Sequence, residues 1–271
     1  MNSSTTNNRI PRIPILMYHG VSEISERGKK IRSVNPAYSL TANQFREQME
    51  YLHTNRYITL SLDQLLNNES VPQKSLVITF DDGWADNYTN VFPTLKEYSL
   101  TATIFVISGF IGKAKYMDWH QLREMNAAGL SIQSHTVSHK PLAQLSKTEV
   151  EYELETSKKT IADALGKEVD FLSLPHGVFN NKVLKMAQEA GYHAICTSEP
   201  GYSHACRNLP VMKRINISGR FSIGTFSKII QIDQFTIMPL IFSKKMKNLI
   251  KRFVGYNKYR SIYDLWYQIK I

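Results

Sequence analysis

Leu76-Val77-Ile78-Thr79-Phe80-Asp81-Asp82-Gly83 decides the fold: an apolar run of strand length ends on two adjacent carboxylates and a glycine. Side chains alternate along a strand, so Asp81 and Asp82 are expected to point in different directions. Two neighbouring acids can then take two jobs, one holding a metal and the other handling a proton. The same residues suit a plain strand-ending turn, because Asp-Gly is a common turn pair. Taken alone the stretch leaves both readings open.

Similar short runs recur at residues 15–18, 102–107, 130–133, 171–174, 193–197 and 211–217. Several are almost wholly apolar, as strands covered on both faces should be. Amphipathic stretches lie between them. Thr41 can cap a helix carrying Phe45, Met49 and Leu52 on one side. Ser146 and Glu149 read as a capping box ahead of Val150, Leu154, Ile161 and Leu165, with Gly166 as the stop. A shorter helix over 183–190 is closed by Gly191. Strand and helix in alternation predict an α/β fold with a parallel sheet, open or closed into a barrel. Its catalytic residues belong at the carboxyl ends of strands.

Composition excludes some alternatives. The chain has 271 residues, 42% hydrophobic and 21% charged, which suits an ordinary globular protein rather than a disordered one. The polar, uncharged start and the lack of a long apolar run predict neither a signal peptide nor a transmembrane helix, hence a cytoplasmic location. Cys196 and Cys206 lack metal-binding spacing and read as free thiols, with a single bridge between them as the alternative. The net charge of +10 suggests a nucleic-acid binder until it is located: from Lys244 onward eight basic residues face a single acidic one, Asp264. The body is close to neutral, so no nucleic-acid partner is expected.

Ser134-His135-Thr136-Val137-Ser138-His139 follows the run at 130–133 and sets two histidines four residues apart just past a strand end. One helical turn there would put both imidazoles on one face, able to bind one ion. Two histidines and a carboxylate make a common hydrolytic metal site, and Asp82 is the evident third ligand. His53, His120, His193 and His204 have no partner at such spacing and read as structural or surface residues.

With these motifs in place, residues 13–220 resemble the NodB-like polysaccharide deacetylases, carbohydrate esterase family 4. Thr79-Phe80-Asp81-Asp82-Gly83 is similar to the family's first motif, which implies Asp81 as catalytic base and Asp82 as metal ligand. His135 and His139 match the second, which supplies two ligands. Leu174-Pro175-His176-Gly177 resembles the third, which lines the groove and offers a backbone N–H to the oxyanion. Ile15-Leu16-Met17-Tyr18-His19-Gly20 looks like the family's Leu-x-His motif moved to the front of the chain, as in the circularly permuted branch that includes poly-N-acetylglucosamine deacetylases. His19 is then the acid for the leaving amine.

The resemblance implies a deformed (β/α) barrel that removes N-acetyl groups from a glycan with a divalent metal, zinc being favoured by the ligand set. A deacylase of a small or lipid-linked amide and an inactive carbohydrate-binding homologue are the alternatives. Ser173 stands where many members carry an arginine that orients the catalytic Asp, and Arg214, charged within an apolar run, is the candidate to replace it. His176 replaces the usual aromatic of the third motif. Trp84 and Trp119 are either sugar-stacking residues or ordinary packed aromatics.

The catalytic domain is assigned to residues 1–235 and a basic amphipathic extension to 236–271. In the extension Met246, Leu249, Ile250, Phe253 and Val254 repeat at helical spacing, while Lys245, Lys247, Lys251 and Arg252 fall largely off that stripe. Such a helix either packs on the barrel or makes peripheral contact with an anionic membrane.

Overall fold

A computed structural model describes residues 11–22, 38–67, 71–204 and 211–255. The β-rich runs form a curled, deformed-barrel sheet. Its strands are β1 (Ile15–Tyr18), β2 (Ser75–Phe80), β3 (Thr103–Val106), β4 (Ser131–Ser134), β5 (Phe171–Ser173), β6 (Ala194–Cys196), β7 (Val211–Met212) and β8 (Ile215–Asn216). They lie in the order β7-β6-β5-β4-β3-β2-β1-β8, and every pairing is parallel. The short strand Ile58–Thr59 adds to the start of β2 off this path.

The run at 211–217 is not a single strand: β7 pairs with β6, β8 pairs with β1, and Lys213 and Arg214 interrupt them. The physical reason is closure. One short segment supplies hydrogen bonds to both ends of the sheet, so it must bend between them, and the bend sends Arg214 inward.

Helices α1 (Ala42–Thr54), α2 (Leu62–Asn67), α3 (Phe92–Glu97), α4 (Trp119–Ala127), α5 (Lys147–Leu165), α6 (Asn181–Glu189), α7 (Ile223–Ile230) and α8 (Gln234–Val254) surround the sheet. Local chemistry sets their ends. Thr41 with Gln44 and Ser146 with Glu149 form reciprocal capping boxes, and Gly166 ends α5 in the left-handed conformation at φ 65°. Trp119 opens α4 and packs part-buried against the core.

Strand alternation sorts the core into two layers. Leu16, Tyr18, Ile78, Phe80, Ile104 and Leu172 face the helices. Ile15, Val77, Phe105, Phe171, Cys196 and Met212 face inward, with Leu60, Leu62 and Leu65 packed among them. Two residues further along their strands, Thr79 and Ser173 are buried on that same inward side. Asp81 extends β2's inward row, because its N–H still bonds to the Tyr18 carbonyl at 2.9 Å. The interior is thus apolar below and polar at the carboxyl end. Cys196 is a buried free thiol; Cys206 lies outside the described residues.

Candidate active site

Asp81 and Asp82 part company at the end of β2. Asp81 keeps the strand direction and is buried at 3% exposure. Asp82 adopts φ 77°, followed by Gly83 at φ 75°, so the backbone turns and the second carboxylate leaves the sheet. The stretch is therefore a turn that sends its two carboxylates to different surroundings.

Arg214 meets Asp81 as a two-pronged fork. Its Nη1 donates to Asp81 Oδ1 and its Nη2 to Asp81 Oδ2, each at 2.7 Å. The other three N–H groups bond to Thr79 Oγ1 (3.1 Å), Ser173 Oγ (2.8 Å) and the Thr197 carbonyl (3.0 Å), so all five donors of the guanidinium are used. Ser173 in turn donates to Asp81 Oδ2 at 3.1 Å. Phe105 lies beneath the guanidinium, 5.5 Å from Cζ to the ring centre. Burial alone would raise the Asp81 pKa, but the Arg214 charge outweighs it and holds the carboxyl well below the usual range. Arg214 is raised in return: burial opposes its charge and Asp81 more than restores it. The pair is ionised.

Asp82 faces the histidines. Its Oδ1 lies 3.6 Å from His135 Nε2 and 3.5 Å from His139 Nε2, and one ligand atom from each residue lies within 4.8 Å of the others. Donors on a tetrahedron of ~2.1 Å radius sit roughly 3.4 Å apart, so this set fits a single divalent ion. His135 Nδ1 donates to the Ser173 carbonyl at 2.7 Å, which leaves Nε2 as the lone-pair nitrogen. Burial, reinforced by the neighbouring His135, pushes the His139 pKa down to about 3, so its imidazole is neutral.

The histidine loop is not the helical turn that the four-residue spacing suggested. Residues 135–140 form a bend in which Thr136 (φ 66°) and His139 (φ 60°) are left-handed, with the two rings 4.7 Å apart. Its shape comes from Glu153 of α5, which accepts the backbone N–H groups of Val137 and Ser138 at 2.8 and 2.9 Å and also bonds the Ser138 hydroxyl. Sequence reasoning missed Glu153. The signal was its place between Val150 and Leu154 on the buried stripe of α5, where a carboxylate needs a purpose.

The third-motif loop lies alongside. Pro175 is buried, and His176 takes φ 58° with its ring 4.6 Å from that of His139. Gly177, at φ 63°, is the residue the loop requires: a Cβ there would stand 1.8 Å from Ser198 Oγ. Trp84 donates its indole N–H to Asp82 Oδ2 at 2.8 Å and stacks on Tyr116 at 4.4 Å. The structure thus ties Trp84 to a candidate ligand, a contact the sequence did not suggest.

His19 follows β1 at the same end of the sheet. Asn87 bonds its carbonyl at 2.9 Å, Tyr38 lies 4.9 Å from its ring, and its buried Nδ1 has no hydrogen-bond partner among the described residues. Burial lowers its pKa, against the raising fields of Asp82 and Asp81.

The chain is similar to several known proteins. The polysaccharide deacetylase family profile matches residues 68–195. YxkH, a candidate polysaccharide deacetylase of Bacillus subtilis (strain 168), is 33% identical over 224 residues, 81% of this chain and 76% of that protein. The poly-beta-1,6-N-acetyl-D-glucosamine N-deacetylase of Staphylococcus aureus (strain MSSA476) is 29% identical over 174 residues, 57% of this chain and 59% of that one. The solved structure of Streptococcus pyogenes deacetylase PplD in complex with acetate aligns with a TM-score of 0.75 at 29% identity, covering 82% of this chain and 99% of that one. In sequence and fold, the chain belongs to the polysaccharide deacetylases of the NodB-like group.

Proposed function

We propose that this protein is a metal-dependent hydrolase that removes N-acetyl groups from an N-acetylated glycan. The observation that carries the reading is the division of the acid pair: Asp82 stands with two imidazoles, while Asp81 is held apart by Arg214 and Ser173. Both Asp81 oxygens are engaged by the guanidinium, which suits it to proton transfer rather than ligation.

Asp82, His135 and His139 would hold the ion, and a histidine–carboxylate set favours zinc while tolerating other divalent metals. When bound, such an ion polarises the acetyl carbonyl and lowers the pKa of a water toward ~7. Asp81 takes a proton from the water that attacks the carbonyl carbon. Arg214 and Ser173 hold that carboxylate in one orientation and take both lone pairs of Oδ2 and one of Oδ1, so the remaining lone pair of Oδ1 is the one to accept the proton. The His176 backbone N–H supports the developing oxyanion. As the C–N bond breaks, His19 protonates the departing amine, giving acetate and the free amino sugar.

The test is acetate release from a panel of N-acetylated oligosaccharides. Activity is expected with Zn²⁺ and should be abolished by chelator. Asp81→Asn should fall by at least about 100-fold, in line with the contribution of a general base, while retaining metal by elemental analysis. Asp82→Asn, His135→Ala and His139→Ala should lose the metal itself. Absence of acetate from every oligosaccharide with metal-loaded protein would overturn the reading, and metal loss in Asp81→Asn would overturn the division of roles.

A further inference from the structure

We propose that α8 is a docking surface for an anionic lipid membrane. The helix presents two opposite faces. On one, Ile237, Leu240 and Ile241 pack on the body; further along, Lys244 donates to Ser198 Oγ at 2.9 Å and Asn248 to Glu199 Oε1 at 3.3 Å. On the other, Phe235, Met238, Phe242, Met246, Leu249 and Phe253 recur three or four residues apart over about five turns. All six are exposed, the phenylalanines at 83%, 67% and 81%. The stripe expected over residues 246–254 therefore begins earlier, at Phe235, and its large side chains do not pack on the barrel.

The solvent side of a helix in a globular protein ordinarily carries polar residues. An apolar stripe of this length in their place marks an interaction site. Charge selects the occupant. The helix contains no Asp or Glu, exposed Lys245 and Lys247 border the stripe on opposite sides, and the sequence adds Lys251 and Arg252. Apolar side chains between basic borders match an interface in which acyl chains lie beneath anionic headgroups. Among the described residues no helix is long and apolar enough to cross a membrane, so α8 would lie in the interface plane.

The position of α8 gives this docking a consequence. Ser198 and Glu199, which it contacts, follow β6 at the carboxyl end of the sheet, and Ser198 abuts Gly177 in the loop that carries His176. Docking would bring the candidate active site close to the lipid surface, where a membrane-borne glycan is met.

The proposal stands apart from the deacetylase reading, since binding is measured without turnover. The full chain is sedimented with vesicles of phosphatidylglycerol and phosphatidylcholine, and with phosphatidylcholine alone. Wild type should pellet with the anionic vesicles and be released by high salt, which shortens the screening length from about 8 Å to about 3 Å. The triple variant F235S/F242S/F253S, altered only at exposed positions, should lose binding by roughly tenfold or more, as interfacial affinity follows buried apolar area. Its thermal unfolding should match wild type, confirming that folding is intact. K245E/K247E should weaken binding to anionic vesicles only. Equal recovery of wild type with and without vesicles would overturn the proposal. So would a wild-type dimer that fails to bind vesicles and becomes monomeric in the triple variant, which would assign the face to a second copy of the chain.

Discussion

At the scale of single residues, the centre of the molecule is the contact between Arg214 and Asp81, 133 positions apart in the chain. A buried ion pair is costly to split, because removing one partner leaves the other charged and unmatched. Arg214→Met is therefore expected to destabilise the protein by about 3–5 kcal/mol in urea unfolding. The double variant Arg214→Met/Asp81→Asn should be less destabilised than the sum of the two single changes; additive effects would show that the pair is not coupled. Arg214→Lys should recover little, since an ammonium cannot span both oxygens and also reach Thr79, Ser173 and Thr197. Ser173 reads in the sequence as a missing arginine. In the structure its hydroxyl belongs to the same network, and Ser173→Ala should cost about 1 kcal/mol, the usual net worth of one hydrogen bond.

At the scale of elements, two loops set the site, and neither takes its shape from its own side chains alone. The bend at residues 135–140 depends on Glu153 of α5. Glu153→Ala should lower metal affinity by about 10–100-fold, the range typical of groups that orient ligands, with Asp81 and Asp82 untouched. Zinc titration against a competing chelator measures this, and unchanged affinity would remove Glu153 from the positioning role. The third-motif loop depends on Gly177. Gly177→Ala meets both a left-handed φ and the Ser198 hydroxyl, so a loss of about 1–3 kcal/mol is expected in thermal or urea unfolding. Pairing it with Ser198→Gly should relieve the contact and leave only the backbone strain.

At the scale of the whole molecule, the interior of the barrel below the site is lined by apolar side chains. Burial pushes the thiol of Cys196 up to about 12, with Arg214 only partly offsetting it. A thiol whose folded pKa exceeds its unfolded value of ~8.5 favours the native state below that value and loses the advantage as pH rises toward the folded one. Wild type should therefore lose stability between about pH 9 and pH 12 at a limiting slope of about 1.4 kcal/mol per unit more than Cys196→Ala does. Denaturant midpoints of the two proteins across that range measure the difference. In a Cys206→Ser background, alkylation at pH 8 should label Cys196 only after unfolding; rapid labelling of the native protein would show an open interior.

Much of this was legible along the chain. Periodicity located the strands around β1 to β6, the capping residues started α1 and α5, and the acid and histidine motifs marked the candidate ligands, because each of these depends on neighbours within a few residues. Other features exist only after folding. Whether residues 211–217 form one strand or two depends on two distant sheet edges, the bend of the histidine loop on a carboxylate of the following helix, and the exposure of α8's apolar stripe on which face the barrel happens to meet. Sequence alone determined that a strand ends on two adjacent acids. Only the tertiary structure decided their difference, since strand alternation turns Asp81 inward to a guanidinium from the bend that joins the two sheet edges, and a left-handed backbone turns Asp82 out to the histidines.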